Sequence, residues 1–333
     1  MAKYKCAMYY PEFLNENDLL GIVALSAGTG KKIDEYKKSL EILNKEGFRI
    51  LEAPSVRNNN ERANSEIIRA KELNDLIINK DVKAILCATG GDSQIETLPY
   101  IDYKSIKKNP KWIMGYSDPT NLLLPVTTML DIATIYDFNA LSLDGNKLDQ
   151  KNFLRIIKGD LFKQKSFSRF QSFIDIINDS NKYKKVAWKA NKQLKLKGRL
   201  IGGCLDIIEK MVGSKYDAIN KFIDKYKDNG IIWYFDIFSL SSYQTYLSLI
   251  QLKNAGYFRY CKGVLIGRVA FPNNNDGNLI NDYKQAYDLV FKDIPYIYEM
   301  DIGHTKPKLT LINGAIANVN YKDNKGDITF YLK

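Results

Sequence analysis

The sequence predicts an α/β protein whose first half is a doubly wound parallel sheet. Short apolar runs alternate with stretches of helical spacing from about residue 15 to about residue 150, the pattern of a parallel sheet with crossover helices. Most of these runs end in glycine or other small residues, the composition of ligand-binding loops at strand carboxyl ends. The length of 333 residues is long for a single core and predicts two domains. The expected division is a nucleophile-bearing domain over 1–150, a basic connector over 151–195 and a second α/β domain over 196–333.

The elements follow in order. Leu19 to Ser26 is a buried strand running into the loop Gly28-Thr29-Gly30. Lys31 to Glu46 places Ile33, Tyr36, Leu40 and Leu43 at helical spacing, and Gly47 stops the helix. Phe48 to Leu51 is a second strand, and Arg62 to Asn79 a helix whose apolar face includes Ile67, Ile68, Leu73, Leu76 and Ile77. Val82 to Ala88 is a third strand, closed by Thr89-Gly90-Gly91, and Trp112 to Met114 a fourth, closed by Gly115. Residues 151–195 are basic and Phe-rich with little periodicity. Beyond them, Gly198 to Gly203 opens into a helix reaching about Val212. Gly230 to Phe235 is a strand ending at Asp236, Ser241 to Ala255 a helix, and Gly263 to Arg268 another strand. Thr310 to Leu332 alternates in short β segments.

Composition narrows the function class. An apolar fraction of 45% and a charged fraction of 26% are ordinary for a folded soluble protein. No apolar run approaches the ~20 residues that span a bilayer, and Met1 to Asn15 lacks the apolar stretch of a secretory signal. The cysteines Cys6, Cys87, Cys204 and Cys261 are far apart, and only one histidine accompanies them. No structural zinc site is therefore expected, and the reducing cytoplasm is the expected compartment. The net charge is +11. Residues 151–200 alone hold fourteen Lys or Arg against three acids. Such a field attracts nucleic acid or a small anionic substrate, and it also suits a solvated face. No helix-turn-helix, zinc-finger or RNA-binding aromatic signature accompanies it, so nucleic acid is not the expected partner, and a small anionic substrate and a solvated face both stay open.

Three loops carry candidate chemistry. Gly115-Tyr116-Ser117-Asp118-Pro119-Thr120 follows a strand and precedes an apolar helix, the setting of a nucleophile elbow. Ser117 would be the nucleophile, with the Asp118 amide facing a developing oxyanion. Pro119 stands where the elbow pattern has its second glycine, and an ordinary turn with Ser117 or Asp118 capping the helix fits the same residues. Gly90-Gly91 follows the third strand and offers the Gly91 amide as a second oxyanion donor, or simply a turn. Asp236 ends a very apolar strand, as a cap or as a functional acid. His304, in Asp301-Ile302-Gly303-His304, is the only imidazole that could move a proton near neutral pH; a histidine satisfied within its loop suits the segment too. Ser117, Asp236 and His304 come in an order that suits a serine triad assembled from loops of two domains.

These blocks, with Lys83 to Gly91, Leu98 to Tyr103, Asn109-Pro110-Lys111, Gly198 to Gly203, Ile232 to Asp236 and Lys262 to Arg268, resemble the LD-carboxypeptidase family over roughly residues 17–320. The family includes muramoyltetrapeptide carboxypeptidases and microcin C immunity peptidases. The resemblance implies a Rossmann-like N-terminal domain and a smaller C-terminal α/β domain with a β-barrel-like sheet, the site lying in the groove between. It implies a cytoplasmic serine peptidase without cofactor or metal, commonly a homodimer, with Ser117 as nucleophile and His304 as base. The family acid is usually Glu, and Asp236 is one methylene shorter. Ala24-Leu25-Ser26 stands where Ala-Pro-Ser is common. The expected substrate is a murein tetrapeptide losing its terminal D-alanine. The alternatives are a peptidyl or aminoacyl nucleotide, as in the immunity branch, or ligand binding without turnover should the shorter acid disable the triad.

Overall fold

The structure is a computed structural model that describes residues 7–145, 147–190, 192–274 and 279–332. Cys6 lies outside the described residues. The chain divides into two compact units, one of residues 1–161 with 310–314 and one of residues 162–309 with 315–333.

The first unit is built on a six-stranded sheet of β1 (Leu19–Val23), β2 (Arg49–Glu52), β3 (Val82–Cys87), β4 (Trp112–Gly115), β5 (Thr134–Tyr136) and β13 (Leu311–Asn313). The order is β13-β5-β4-β3-β1-β2, parallel throughout except for β13, which runs antiparallel to β5. Strands β3 and β4 are buried almost throughout, as a sheet covered on both faces requires. Helices α1 (Ile33–Lys45), α2 (Glu66–Ile78), α3 (Tyr103–Lys108), α4 (Thr120–Leu130) and α5 (Leu148–Ile157) accompany it. The Ser65 hydroxyl caps α2, and Gly47, at φ +92°, follows α1. Strand order reverses between β1 and β3, so the ligand crevice of such a sheet falls at their carboxyl ends. The loops there contain Ser26 and Gly90–Gly91, and the neighbouring loop after β4 contains Ser117.

The second unit holds a seven-stranded mixed sheet in the order β12-β11-β10-β9-β14-β15-β6. Its strands are β6 (Lys163–Lys165), β9 (Leu194–Cys204), β10 (Ile231–Asp236), β11 (Cys261–Gly267), β12 (Tyr296–Met300), β14 (Ile316–Lys322) and β15 (Lys325–Tyr331). The long β9 joins two regimes. Arg199 to Cys204 pairs parallel with β10, whereas Leu194 to Arg199 pairs antiparallel with β14. Strand β10 is buried along its whole length, which is why its sequence reads as a continuous apolar run. Helices α6 (Phe173–Ile177), α7 (Leu205–Met211), α8 (Ile219–Lys225), α9 (Ser242–Asn254) and α10 (Tyr283–Val290) complete the unit. A capping box between Ser241 and Gln244 starts α9.

The basic stretch contributes to both units. Its start lies in α5, and β6 pairs with β15. A small ribbon of β7 (Arg169–Phe170) and β8 (Lys184–Lys185) follows. Strands of two or three residues are too short to show a period, so these elements leave no pattern in the sequence.

Candidate active site

The turn after β4 has the form of a nucleophile elbow. A Cβ on Gly115 would lie 2.9 Å from Asn139 Oδ1 and 3.0 Å from Cys87 Cβ, so a larger residue would not fit. Asn139 then grips the next peptide from both sides: Tyr116 N–H donates to its Oδ1 at 3.0 Å, and its Nδ2 donates to Tyr116 O at 3.2 Å. Ser117 follows with φ +69°, a left-handed conformation that costs a non-glycine residue about 1 kcal/mol. Its N–H donates to the Tyr136 hydroxyl at 3.0 Å. Thr120 N–H donates to Ser117 O at 2.9 Å, and α4 begins at once. Pro119 fits where the pattern has glycine, because it stands just before the first helical residue with φ −50°.

The Gly90–Gly91 turn sits against this serine. A Cβ on Gly90 would lie 3.5 Å from Ser117 Oγ, and one on Gly91, at φ +139°, would collide with Ser26 Oγ. Below the turn the Asp118 carboxylate is fully buried. It accepts from Ser26 Oγ at 2.6 Å, from Gln94 N–H at 2.9 Å and from Asn121 Nδ2 at 2.7 Å. Burial raises this carboxyl above the usual carboxylate range, and the hydrogen bonds from Ser26, Gln94 and Asn121 oppose that rise. Ser26 leads on to Ser93, whose Oγ accepts from the buried Arg69 at 3.0 Å, and Arg69 pairs with Glu96 at 2.9 Å.

Asp236 and His304 are brought together in the second unit. His304 Nδ1 lies 2.9 Å from Asp236 Oδ2 and 3.1 Å from Oδ1. The carboxylate is fully buried and the imidazole nearly so. A carboxylate partner requires the proton on Nδ1, which puts the lone pair on Nε2. Phe238 lies against the ring at 4.5 Å between centroids, and Phe173 meets it edge-on at 5.5 Å. Gly303, at φ +84°, presses on the acid; a Cβ there would fall within the Asp236 carboxylate. One turn of chain earlier, Asp301 anchors the loop. Its buried carboxylate accepts from Arg268 Nη1 at 2.7 Å, Trp188 Nε1 at 2.9 Å and Phe167 N–H at 3.1 Å.

His304 lines a cavity of about 470 Å³ in the second unit, with Phe170, Phe173, Lys184, Lys189 and Tyr283 among its walls. Among the described residues, no group of three or more His, Cys, Asp or Glu side chains is placed to hold a metal ion. Burial pushes the Cys87 and Cys261 thiols up to about 12 and raises Cys204 as well, so none is a ready thiolate nucleophile.

Sequence reasoning names Ser117, Asp118, Gly91, Asp236 and His304; the first three lie in the first unit and the last two in the second. It passed over Asn139, Tyr136 and Gln94, which support the serine turn. Nothing in the spacing of Tyr136 and Asn139 marks them. Gly303 was legible as a glycine beside the histidine, but its contact with Asp236 was not.

A family model described as the LD-carboxypeptidase N-terminal domain matches residues 20–137, and its C-terminal counterpart matches residues 197–319. The microcin C7 self-immunity protein MccF of Escherichia coli is 25% identical, the match covering 92% of each chain. The "Probable murein peptide carboxypeptidase" of Bacillus subtilis (strain 168) is 24% identical over 94% of this chain and 92% of that one. Among solved structures, wild-type apo MccF has a TM-score of 0.83 at 23% identity, covering 97% of this chain and 98% of that chain. Muramoyltetrapeptide carboxypeptidase from Oxalobacter formigenes has a TM-score of 0.74 at 18% identity, covering 94% and 98%. At these identities the structural likeness is one of fold. Other MccF structures contain adenosine monophosphate or aspartyl sulfamoyl adenosine. The two domain models match in order and together span most of the chain, which therefore belongs to the LD-carboxypeptidase family.

Proposed function

We propose that this protein is a serine carboxypeptidase that removes the C-terminal residue of a small anionic peptide, with murein tetrapeptide and its terminal D-alanine as the substrate. The observation that carries this reading is the buried Asp236–His304 pair, since it orients the chain's only imidazole. Ser117 Oγ attacks the carbonyl carbon as His304 Nε2 takes its proton. The carbonyl becomes an oxyanion, held by the amides of Gly91 and Asp118. As the C–N bond breaks, His304 returns the proton to the leaving amine, and water then cleaves the acyl-serine by the same route. Asp236 keeps the imidazole in the right tautomer and stabilises its charged form.

The shorter acid does not argue for a binding-only protein, because its carboxylate still reaches Nδ1 at hydrogen-bonding distance. No helix among the described residues is long and apolar enough to cross a membrane. Cytoplasmic recycling of peptidoglycan fragments, by a homodimer, belongs to the same proposal. Cys87, Cys204 and Cys261 form no disulfide among the described residues, which suits a reducing compartment. Light scattering on the purified protein tests the dimer.

One observation favours a second reading, hydrolysis of a peptidyl or aminoacyl nucleotide. The cavity beside His304 combines the rings of Phe170 and Phe173 with Lys184, Lys189 and Arg268, along with Asp282 and Glu299; rings on which a base can stack and nearby cations suit a nucleotide. Parallel assays of murein tetrapeptide and a peptidyl-adenylate analogue separate the two. Release of D-alanine supports the first reading, and cleavage of the nucleotide conjugate alone replaces it with the second.

A further inference from the structure

The Asp118 carboxylate has a placement that a serine triad leaves unexplained. It lies one residue after Ser117, at the bottom of the crevice, and is fully buried. Loops from three strands converge on it: Ser26 from the loop after β1, Gln94 from the loop after β3, and its own turn after β4. Asn121 Nδ2 donates both to the Asp118 side chain, at 2.7 Å, and to its carbonyl, at 3.1 Å, fixing the residue to the first turn of α4. The Ser26 hydroxyl occupies the space that a Cβ on Gly91 would take, and Ser93 N–H donates to that hydroxyl at 3.3 Å. Ser26 thus packs against Gly91 at one end of the Gly91–Gln94 segment, while the other end is held by Ser93 N–H on Ser26 and Gln94 N–H on Asp118.

We propose that the Asp118 side chain is a positioning residue for the oxyanion hole: it holds the Gly91 turn at a set distance from its own amide, the second oxyanion donor. This rests on the serine-peptidase reading of Ser117. A carboxylate is suited to the task because it accepts from all three donors at once. Ser26 and Gln94 share Oδ2, and Asn121 takes Oδ1. An asparagine oxygen in place of Oδ2 keeps the first two but sets its NH2 against Asn121 Nδ2, the donor that fixes the residue to α4. The Ser117–Asp118 turn would then shift against the Gly91 turn, and the two amides would no longer converge on one oxygen. Such a loss falls on the transition state and not on substrate binding.

The test compares Asp118→Asn and Ser26→Ala with wild type and Ser117→Ala. The measurements are kcat and KM for D-alanine release, affinity for the product tripeptide, and inhibition by a peptidyl boronic acid, whose serine adduct mimics the tetrahedral intermediate. For Asp118→Asn the expected result is a fall in kcat of about 10²-fold, the scale of losing one oxyanion donor, with KM and product affinity unchanged. Boronate affinity falls in parallel with kcat. Ser26→Ala, which removes one of the three donors, falls about 10-fold in kcat with the same split; it carries the test alone should Asp118→Asn not fold. Folded variants with wild-type kcat, or variants whose kcat and product affinity fall together, would overturn the proposal. Ser117→Ala keeps the outcomes distinct. Full activity there removes the serine reading itself, whereas an inactive Ser117→Ala beside a fully active Asp118→Asn removes only the role of the carboxylate.

Discussion

Gly303 supplies a sharp prediction, because its effect is transmitted through one named contact. Alanine there places a methyl group within the Asp236 carboxylate. To regain van der Waals separation the acid must retreat by about 1.5 Å, away from an imidazole now 2.9 Å distant. Displacement on that scale costs about 10²-fold in rate. The backbone adds a separate cost, since φ is +84° and a non-glycine residue there is destabilised by about 1 kcal/mol. The assay is kcat for D-alanine release, with urea unfolding on the same samples. The decisive comparison is a double-mutant cycle with Asp236→Ala. Once the carboxylate is gone, the methyl group has nothing to displace, and Gly303→Ala should cost little further kcat while keeping its backbone penalty. Wild-type kcat in Gly303→Ala, or an equal fractional loss in the Asp236→Ala background, would refute the idea that this glycine acts by leaving room for the acid.

The remaining predictions concern the two halves of the site and its surroundings. Asp236→Asn should lower kcat by about 10⁴-fold, as loss of the tautomer-setting acid does in other triads, with the unfolding midpoint little changed; an activity loss within tenfold would demote the acid. Arg69→Met strands Glu96, Ser93 and the Leu25 carbonyl. It should cost about 3 kcal/mol in urea unfolding, toward the low end for broken buried pairs because Glu96 keeps Arg62. Burial raises the Asp118 carboxyl above 3.8, so the folded state keeps a proton that the unfolded state has already lost. That contribution is complete below the unfolded value and disappears as pH rises through the folded one. Urea titrations from acidic to neutral pH should therefore show the wild type losing stability relative to Asp118→Asn as pH rises; a gain would reverse the sign of the argument. Lys189→Glu, which puts an acid into the wall of the His304 cavity, should raise KM for an anionic peptide and weaken its salt dependence while leaving kcat near wild type.

The sheet of the first unit was legible because its strands are buried runs closed by glycine, as at Val82–Cys87 before Gly90 and Trp112–Gly115. The same logic exposed Ile231–Asp236. Elements of two or three residues, such as Thr134–Tyr136 and Arg169–Phe170, were not legible, because a period needs more residues than they have. Amphipathic but short helices such as Leu148–Ile157 and Tyr283–Val290 also passed unseen among basic and polar neighbours. At the site, Ser117, Asp236 and His304 could be named because each closes an apolar run or stands alone in composition. The residues that hold them could not. Asn139 and Tyr136 act on backbone groups of Tyr116 and Ser117 across the fold, and such contacts leave no trace in linear spacing. Pro119 reads as a break in the elbow pattern, yet the structure shows a proline suited to the residue before a helix.

The central claim is that one serine and one histidine, with no other nucleophile or base, perform the hydrolysis. The direct test is D-alanine release from murein tetrapeptide by wild type, Ser117→Ala and His304→Ala, with circular dichroism confirming that each is folded. The account predicts turnover by the wild type and a loss of about 10⁶-fold in either variant, since the two residues act as a unit. Turnover that survives in either folded variant would contradict it.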